Sequence, residues 1–482
     1  MLFRSHGGGS GGIHRVRSDG TVQQIAGACP ATGDLLEPDG PARTATLGVH
    51  INGIDVGSDG SIYFSEAPVF GDQSRGVIRR IDTAGTVTRI GGNMETSACP
   101  EPEGDARLIC DEGVSALGAR MNPRAIAVAP DGSVYFVDGN EYSGDGSRKT
   151  RDRIRVIAPD GTVRTVAGGG PVTGQNNADL TAAGEPALDA DLGNSGDFGT
   201  GIADIALAPD GSLIAAVSRD VNGDDTADSL IERITPDGRV FRVAGRPWVP
   251  ADGAANYAID YSKAPTQTPI GTPAGVAVGP NGAVYARVVP GNAVNTPHDL
   301  IVIEGTTVRR VTGDGDSAGC APDRDEQPTL DVCITAITDT SSGGWHPTSA
   351  MAVQPDGTLL VVDGESNGRS GVDVLRSVTP VLPGFADSEL LLPAPDGSEA
   401  YKVSAAGRHL QTLDGLTGRV KLTFAYDADG RLTSITDEYG NVTQITRSAG
   451  GAPTAIVAPG GQTTTLAVGG DGYLSSVTSP AG

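Results

Sequence analysis

The sequence predicts an all-β protein: a six-bladed β-propeller followed by a second, shorter run of β-repeats. Three observations carry that prediction. A strand–turn–strand unit recurs six times along the chain. The composition of 70 Gly and 32 Pro, with 38% apolar and only 4% aromatic residues, suits many short strands joined by tight turns and argues against a helical bundle. Beyond residue 413 the glycine turns recur at a much shorter spacing.

The recurring unit turns at Ser58-Asp59-Gly60, Pro130-Asp131-Gly132, Pro209-Asp210-Gly211, Pro280-Asn281-Gly282, Pro355-Asp356-Gly357 and Pro395-Asp396-Gly397. Pro presets φ at the second turn position and Gly accepts the left-handed one, so each turn has a mechanism. In the strands before the first five turns, Ile54, Ile126, Ile205, Val276 and Met351 are followed two residues later by Val56, Val128, Leu207, Val278 and Val353. Asp55, Ala127, Ala206, Ala277 and Ala352 lie between them, mostly small residues suited to strands crowded around a narrow axis. A second hairpin follows in the first four units, turning at Gly85, Gly161, Gly238 and Gly305. Two hairpins make a four-stranded antiparallel blade, and such blades set around an axis make a propeller. The first five turn glycines are 72, 79, 71 and 75 residues apart and the last step is 40, so the longer units carry their surplus between blades.

Both ends bear on closure. Residues 13–26 read as a second hairpin with no first hairpin before it, and 389–403 as a first hairpin with a third strand at 408–413. Joined, they make a sixth blade built from the two termini; the alternative is that an upstream half-blade is missing. Residues 1–12 hold no apolar stretch of a secretory signal. Leu2-Phe3-Arg4-Ser5 reads like the tail of a sequencing adaptor, so 1–12 is expected to be a disordered linker or an artefact of a clipped frame. The propeller is expected over 13–413 and the second repeat region over 414–482.

The interblade segments Asp39-Gly40-Pro41-Ala42, with Ala45 and Leu47, and Gly184-Glu185-Pro186-Ala187, with Ala190 and Leu192, make the chain resemble NHL-type propellers of the teneurin and bacterial RHS kind. Three other interblade segments depart from that pattern, two with paired cysteines and one with Trp248, Tyr257 and Tyr261. After Leu413, Gly430, Gly440, Gly451, Gly461 and Gly472 punctuate short Thr/Ile/Val/Leu-rich strands. Residues 426–433, with Thr436-Asp437, Gly440 and Thr443, resemble a YD (RHS) repeat, strongly over 418–447 and weakly beyond. The resemblance implies the first strands of a hollow YD/RHS β-shell adjoining the propeller, Arg408-His409 as a structural linker, Tyr426 and Leu432 as packing residues, and Asp427 and Asp437 as turn formers. It also implies a secreted or cell-surface protein of cell contact, adhesion or polymorphic-toxin delivery. Its partners would be its own YD shell and a protein or glycan on another cell surface.

Charge and motifs narrow the chemistry. The net charge of −24 repels a phosphate backbone, which excludes nucleic acid as a partner. No apolar run approaches the roughly 18 residues of a membrane span. Of the five cysteines, Cys99 with Cys110 and Cys320 with Cys333 lie close in two interblade segments, without CxxC spacing. Local disulfides are expected there, free thiols being the alternative, and Cys29 is expected to stay free. Their setting favours an oxidising compartment. Asp220, Asn222, Asp224 and Asp228 occupy positions 1, 3, 5 and 9 of a calcium loop, with Ile231 where its bidentate Glu belongs, so structural calcium competes with a solvated loop. Asp138 with Asn140 and Asp145 is a weaker echo. Trp248, Tyr257 and Tyr261 are candidates for a partner surface or for packing on a neighbouring blade. His50 and His346 precede inner strands and could reach one mouth of the channel, with Asn122 and Thr272 near the matching positions. That falls short of a ligand set, and no Ser-His-Asp, P-loop or HExxH constellation is recognisable. Two functions follow: a non-enzymatic recognition and scaffold module with no cofactor, or a propeller hydrolase or lyase acting at the central channel.

Overall fold

The computed structural model describes residues 2–7, 10–16, 21–27, 39–47, 50–67, 76–93, 111–139, 152–168, 184–190, 192–193, 201–219, 228–246, 259–289, 299–312, 351–354, 358–364, 373–378, 389–394, 397–404, 408–415, 417–427, 429–470 and 472–481. Packing divides the chain into two compact units, Met1–Thr379 and Pro380–Gly482. Strands dominate both, and the helices among the described residues are short 3-10 turns.

The first unit is a β-propeller. Its first blade orders His50–Val56, Ile62–Ala67, Val77–Ile81 and Thr86–Gly91 from axis to rim, all antiparallel. The second comprises Pro123–Val128, Val134–Asp138, Arg153–Ile157 and Val163–Gly168, and the third Gly201–Leu207, Leu213–Arg219, Asp228–Ile234 and Arg239–Ala244. The fourth follows with Thr272–Val278, Val284–Val289, Asp299–Glu304 and Thr307–Thr312, and three strands of a fifth are described, Met351–Val353, Leu359–Gly364 and Asp373–Val378. Each innermost strand packs beside that of the next blade. Leu2–Gly7, Ser10–Val16 and Val22–Ala26 form a three-stranded sheet ahead of the first blade.

The turns work as their residues dictate. Gly60, Gly132, Gly211 and Gly282 all have φ between 81° and 88°. Asp59, Asp131, Asp210 and Asn281 each accept the backbone N–H two residues on through Oδ1, which locks the turn. The interblade segments act as latches. Gly40–Pro41 and Glu185–Pro186 pair with the outer strand of the blade they enter. Directly after each, the N–H of Ala42 or Ala187 donates to the carbonyl of Gly85 or Gly238 at 2.8 Å, as Ala116 does to Gly161. Ala42, Ala45 and Leu47, like Ala187, Ala190 and Leu192, are buried.

An apolar cluster fills each gap between neighbouring sheets. Ile126, Val134, Phe136 and Ile157 meet Tyr63 and Ile78 between the first two blades, and Ile13 and Ala26 meet Ile62, Phe64 and Ile81 ahead of the first. The N-terminal sheet thus packs as an incomplete neighbour of the first blade.

The sheets bear on four expectations. Residues 2–7 and 10–12 are not a disordered linker: Leu2–Gly7 pairs with Ser10–Val16 from Leu2↔Arg15 to Gly7↔Ser10, and the ladder satisfies the backbone of a Gly-rich stretch whose composition alone argues against a strand. Among the described residues five blades are seen where six were expected, with the N-terminal three-stranded sheet beside the first, and Glu389–Pro393 and Glu399–Ser404 belong to the nine-stranded sheet. Packing divides the chain at 379/380, ahead of the expected 413/414. Among the described residues the hairpins 13–26 and 389–403 are strands of separate sheets.

The second unit is one antiparallel sheet of nine strands in chain order, from Glu389–Pro393 to Leu474–Thr478. His409 stacks on Phe424 at 4.2 Å and meets the edge of Tyr401 at 5.5 Å. Tyr426 donates its hydroxyl to the His409 carbonyl at 2.8 Å, and Arg408 lies over the Tyr426 ring. Asp427 and Asp437 close their turns on the N–H groups of Arg431 and Asn441. The packing and turn roles expected of these residues are the ones they hold.

Candidate functional site

An innermost strand pairs on one side only, so its other edge offers unpaired N–H groups toward the axis. Two aspartates cap that edge. Asp55 accepts the N–H of Val128, in the next blade's inner strand, through Oδ2 at 2.7 Å and that of its own neighbour Val56 through Oδ1 at 2.8 Å. Asp204 repeats the arrangement one blade pair further round, accepting Val276 N–H at 3.1 Å and Ile205 N–H at 2.9 Å. Each carboxylate spans two blades. A register shift between Ile202 and Asp204 marks a bulge, recurring as Ile51/Gly53 and Pro273/Gly275, and a bulge re-aims the side chain beside it.

Burial raises the pKa of both groups. For Asp204 desolvation outweighs the two N–H donors, and the charge of Asp55 adds to it, pushing the value up to about 7. For Asp55 desolvation again outweighs the N–H groups of Val128 and Val56. Both carboxylates hold blade edges together, and Asp204 takes up or releases its proton near neutrality.

A second set of buried charges ties blades to the segments between them. Arg79 Nη1 donates to Glu66 Oε1 at 3.1 Å and to the Thr46 carbonyl at 3.2 Å, with both side chains essentially buried. Arg155 binds Asp138 at 2.9 Å and the Asp111 carbonyl at 3.0 Å. Arg124 binds Asp152 at 2.6 Å, and Asp152 also accepts the Ile202 N–H at 2.9 Å. Sequence reasoning missed Asp204 and these arginines. A signal was present for two of the arginines: Arg79 alternates in step with Val77 and Ile81, and Arg155 with Ile157, all of them buried.

Most residues singled out in the sequence lie outside the described ones: Cys29, Cys99, Cys110, Cys320, Cys333, Asp220, Asn222, Asp224, Trp248, Tyr257 and His346. Asp228 sits buried at the start of strand Asp228–Ile234. Among the described residues no three His, Cys, Asp or Glu side chains converge as metal ligands. Asp138 is engaged by Arg155 and by the N–H of Asn122, while Asn140 and Asp145 lie outside the described residues. His50 opens the first inner strand and Thr272 the fourth. Tyr261 accepts a hydrogen bond from Arg310 Nε at 3.0 Å and packs on the core between the third and fourth blades.

Comparison with known proteins gives this architecture a family. The model of the teneurin NHL domain matches residues 102–369, and that of the teneurin YD-shell matches 387–480. The chain belongs to the teneurin family. Teneurin-m of Drosophila melanogaster is 25% identical over 341 residues, 68% of this chain and 11% of that protein. Teneurin-3 of Mus musculus is 25% identical over 334 residues, again 68% and 11%. The chain thus spans about a tenth of the length of the curated teneurins it matches. Among solved structures, a gluconolactonase from Xanthomonas campestris is 12% identical with a TM-score of 0.32, covering 85% of this chain and 95% of that one, a likeness that carries no argument about chemistry. The YD-shell match begins close to the packing boundary, in keeping with the continuous nine-stranded sheet. Among the described residues no helix is long and apolar enough to cross a membrane.

Proposed function

We propose that this chain is the non-enzymatic recognition and scaffold portion of a secreted or cell-surface teneurin-like protein, its NHL propeller presenting loops to a partner and its YD sheet beginning a shell. The observation that carries this reading is the engagement of the two channel carboxylates. Asp55 and Asp204 each accept two backbone N–H groups, which favours a structural role over the free acid and base that general catalysis requires. Cell contact and toxin delivery are the forms of recognition that the family order of domains supports. Disulfides Cys99–Cys110 and Cys320–Cys333, with Cys29 free, belong to the same proposal, and non-reducing peptide mapping tests them.

The experiment is a paired assay on the purified chain. Binding to cells or to an isolated YD-shell fragment should survive alanine at both His50 and His346, and lactone and lyase substrates should not turn over. Turnover abolished by those two substitutions would replace this reading with the channel hydrolase or lyase.

A further inference from the structure

Each of the first three blades has the outer edge of its fourth strand closed by the segment that enters it, and the fourth blade is built differently. Ala42, Ala116 and Ala187 each open a 3-10 turn and donate their N–H to the carbonyls of Gly85, Gly161 and Gly238 at 2.8 Å. Pro265 holds the same place in the fourth blade. It opens the 3-10 turn Pro265–Gln267, and its carbonyl accepts the N–H of Gly245 at 3.0 Å, as that of Ala116 accepts the N–H of Gly92 at 2.9 Å. A proline has no N–H to give. The residues before it fold onto themselves, with Lys263 N–H donating to the Asp260 carbonyl and Ser262 N–H to Asp260 Oδ1, both at 3.1 Å.

The strand concerned is Thr307–Thr312. Val308 faces Ile303 across the ladder as Val163 faces Ile157 and Val87 faces Ile81, so the three valines are equivalent. In the second blade Val163 donates its N–H to the Val114 carbonyl at 2.9 Å, and its own carbonyl accepts the N–H of Gly113 at 2.8 Å. Among the described residues nothing takes those two places beside Val308, and the fourth sheet ends at this strand. Exposure follows the latch. Thr86, Thr162 and Arg239 are half-buried beside their latches, whereas Thr307, at the same position, is exposed. Thr306, two residues before Val308 as Gly85 is before Val87, is exposed too and offers the carbonyl that the missing N–H would take.

We propose that the outer edge of the fourth blade is a strand-addition site for an extended segment of a partner protein, a Pro-Ala segment preceded by a glycine and an acidic residue. The chain's own latches identify that occupant, since Asp39-Gly40-Pro41-Ala42 and Gly184-Glu185-Pro186-Ala187 close the equivalent edges. The alanine N–H of the partner takes the Thr306 carbonyl, and the residue two before it pairs with Val308, as Gly40 pairs with Val87 and Glu185 with Val240. An unpaired strand edge is a template for such a strand, and main-chain hydrogen bonds supply the affinity. The proline presets the extended backbone and so lowers the cost of ordering the segment. The inference rests on the recognition reading above, since it names the chemistry of one partner.

The test is titration of the purified full chain with a fluorescent peptide copying residues 183–190, against a copy with Ala187→Pro, together with amide hydrogen exchange at Val308. Without peptide, Val308 should exchange faster than Val87, Val163 and Val240, whose edges are latched. The peptide should bind and slow Val308 alone among the four. The Ala187→Pro copy should bind roughly tenfold more weakly or worse, as loss of a backbone hydrogen bond implies. Grafting the 39–42 latch onto the fourth blade, as Ser262→Asp, Lys263→Gly, Ala264→Pro and Pro265→Ala, should protect Val308 without peptide and abolish peptide binding. Val308→Pro, which removes the outward donor, supplies a second variant that should not bind. Val308 already as protected in the parent as the three latched valines, equal affinity for the two peptides, binding that leaves Val308 exchange unchanged, a graft that still binds, or no binding at millimolar peptide would each overturn the proposal. Those results would leave the recognition reading standing if cell or shell-fragment binding persisted.

Discussion

Strand Val77–Ile81 of the first blade buries Val77, Ile78, Arg79 and Ile81, whereas strand Thr463–Val468 of the second unit alternates exposed with half-buried residues along its whole length. Both strands end on glycine turns of positive φ, and both sit in antiparallel ladders with bulges. The hairpins are alike; their enclosure differs. A blade meets a neighbour on each face, so its side chains fill apolar clusters and its stray charges must be paired. In the second unit Leu474 and Val477 stay more than half exposed, and the ion pair Arg419–Glu438 sits at the surface. Enclosure by neighbours, rather than the sequence of the hairpin, sets how much each residue contributes.

That difference can be broken at four places. The largest effect is expected in the apolar clusters: Phe64→Ala should cost about 4 kcal/mol of the propeller's stability and Leu474→Ala under about 1, read as separate denaturant transitions. Next come the ion pairs. Removing Arg79 takes from buried Glu66 its ion-pair partner, a loss of about 3 kcal/mol, while Arg419→Ala should cost about 0.5 at most.

Third is pH. Burial raises the folded-state pKa of Asp204 to about 7 against an unfolded value of 3.8, so the folded state binds the extra proton between those limits. Its contribution is fully present below pH 3.8 and lost as pH rises through 7. Asp204→Asn removes that slope. Relative to the parent its stability should climb by on the order of 4 kcal/mol between pH 4 and 8, beneath a constant cost for the lost acceptor. Melts of parent and variant across that range check it, and parallel curves would place the charge in bulk water. The smallest effect concerns two left-handed glycines. A Cβ at Gly245 would strike the Ser229 carbonyl, whereas one at Gly461 meets open space, so Gly245→Ala should cost about 1 kcal/mol more than Gly461→Ala.

The turns were legible because Asp-Gly chemistry is local: Gly60, Gly132, Gly211 and Gly282 need nothing beyond their own four residues. The order of propeller then YD repeat was legible for the same reason. The blade count was not, because the hairpin around Gly397 has the grammar of a blade's first hairpin, and only pairing with the strands after it assigns it to the second sheet. Asp55 could be seen as the odd residue among alanines at its position, but Asp204 was hidden by the bulge beside it. Arg79 and Arg155 share a strand face with buried Ile81 and Ile157, but the carboxylates they meet, Glu66 and Asp138, stand on the neighbouring strand, which the local sequence does not specify.

The central claim is that the channel carboxylates hold blade edges rather than perform chemistry, and amide hydrogen exchange at Val128 and Val276 tests it most directly. In the parent both amides should be protected. Asp55→Ala should release Val128 and leave Val276 protected, and Asp204→Ala should do the reverse. Protection of both amides unchanged in both variants would mean that the carboxylates are free of the backbone, and would return them to the channel as groups available for catalysis.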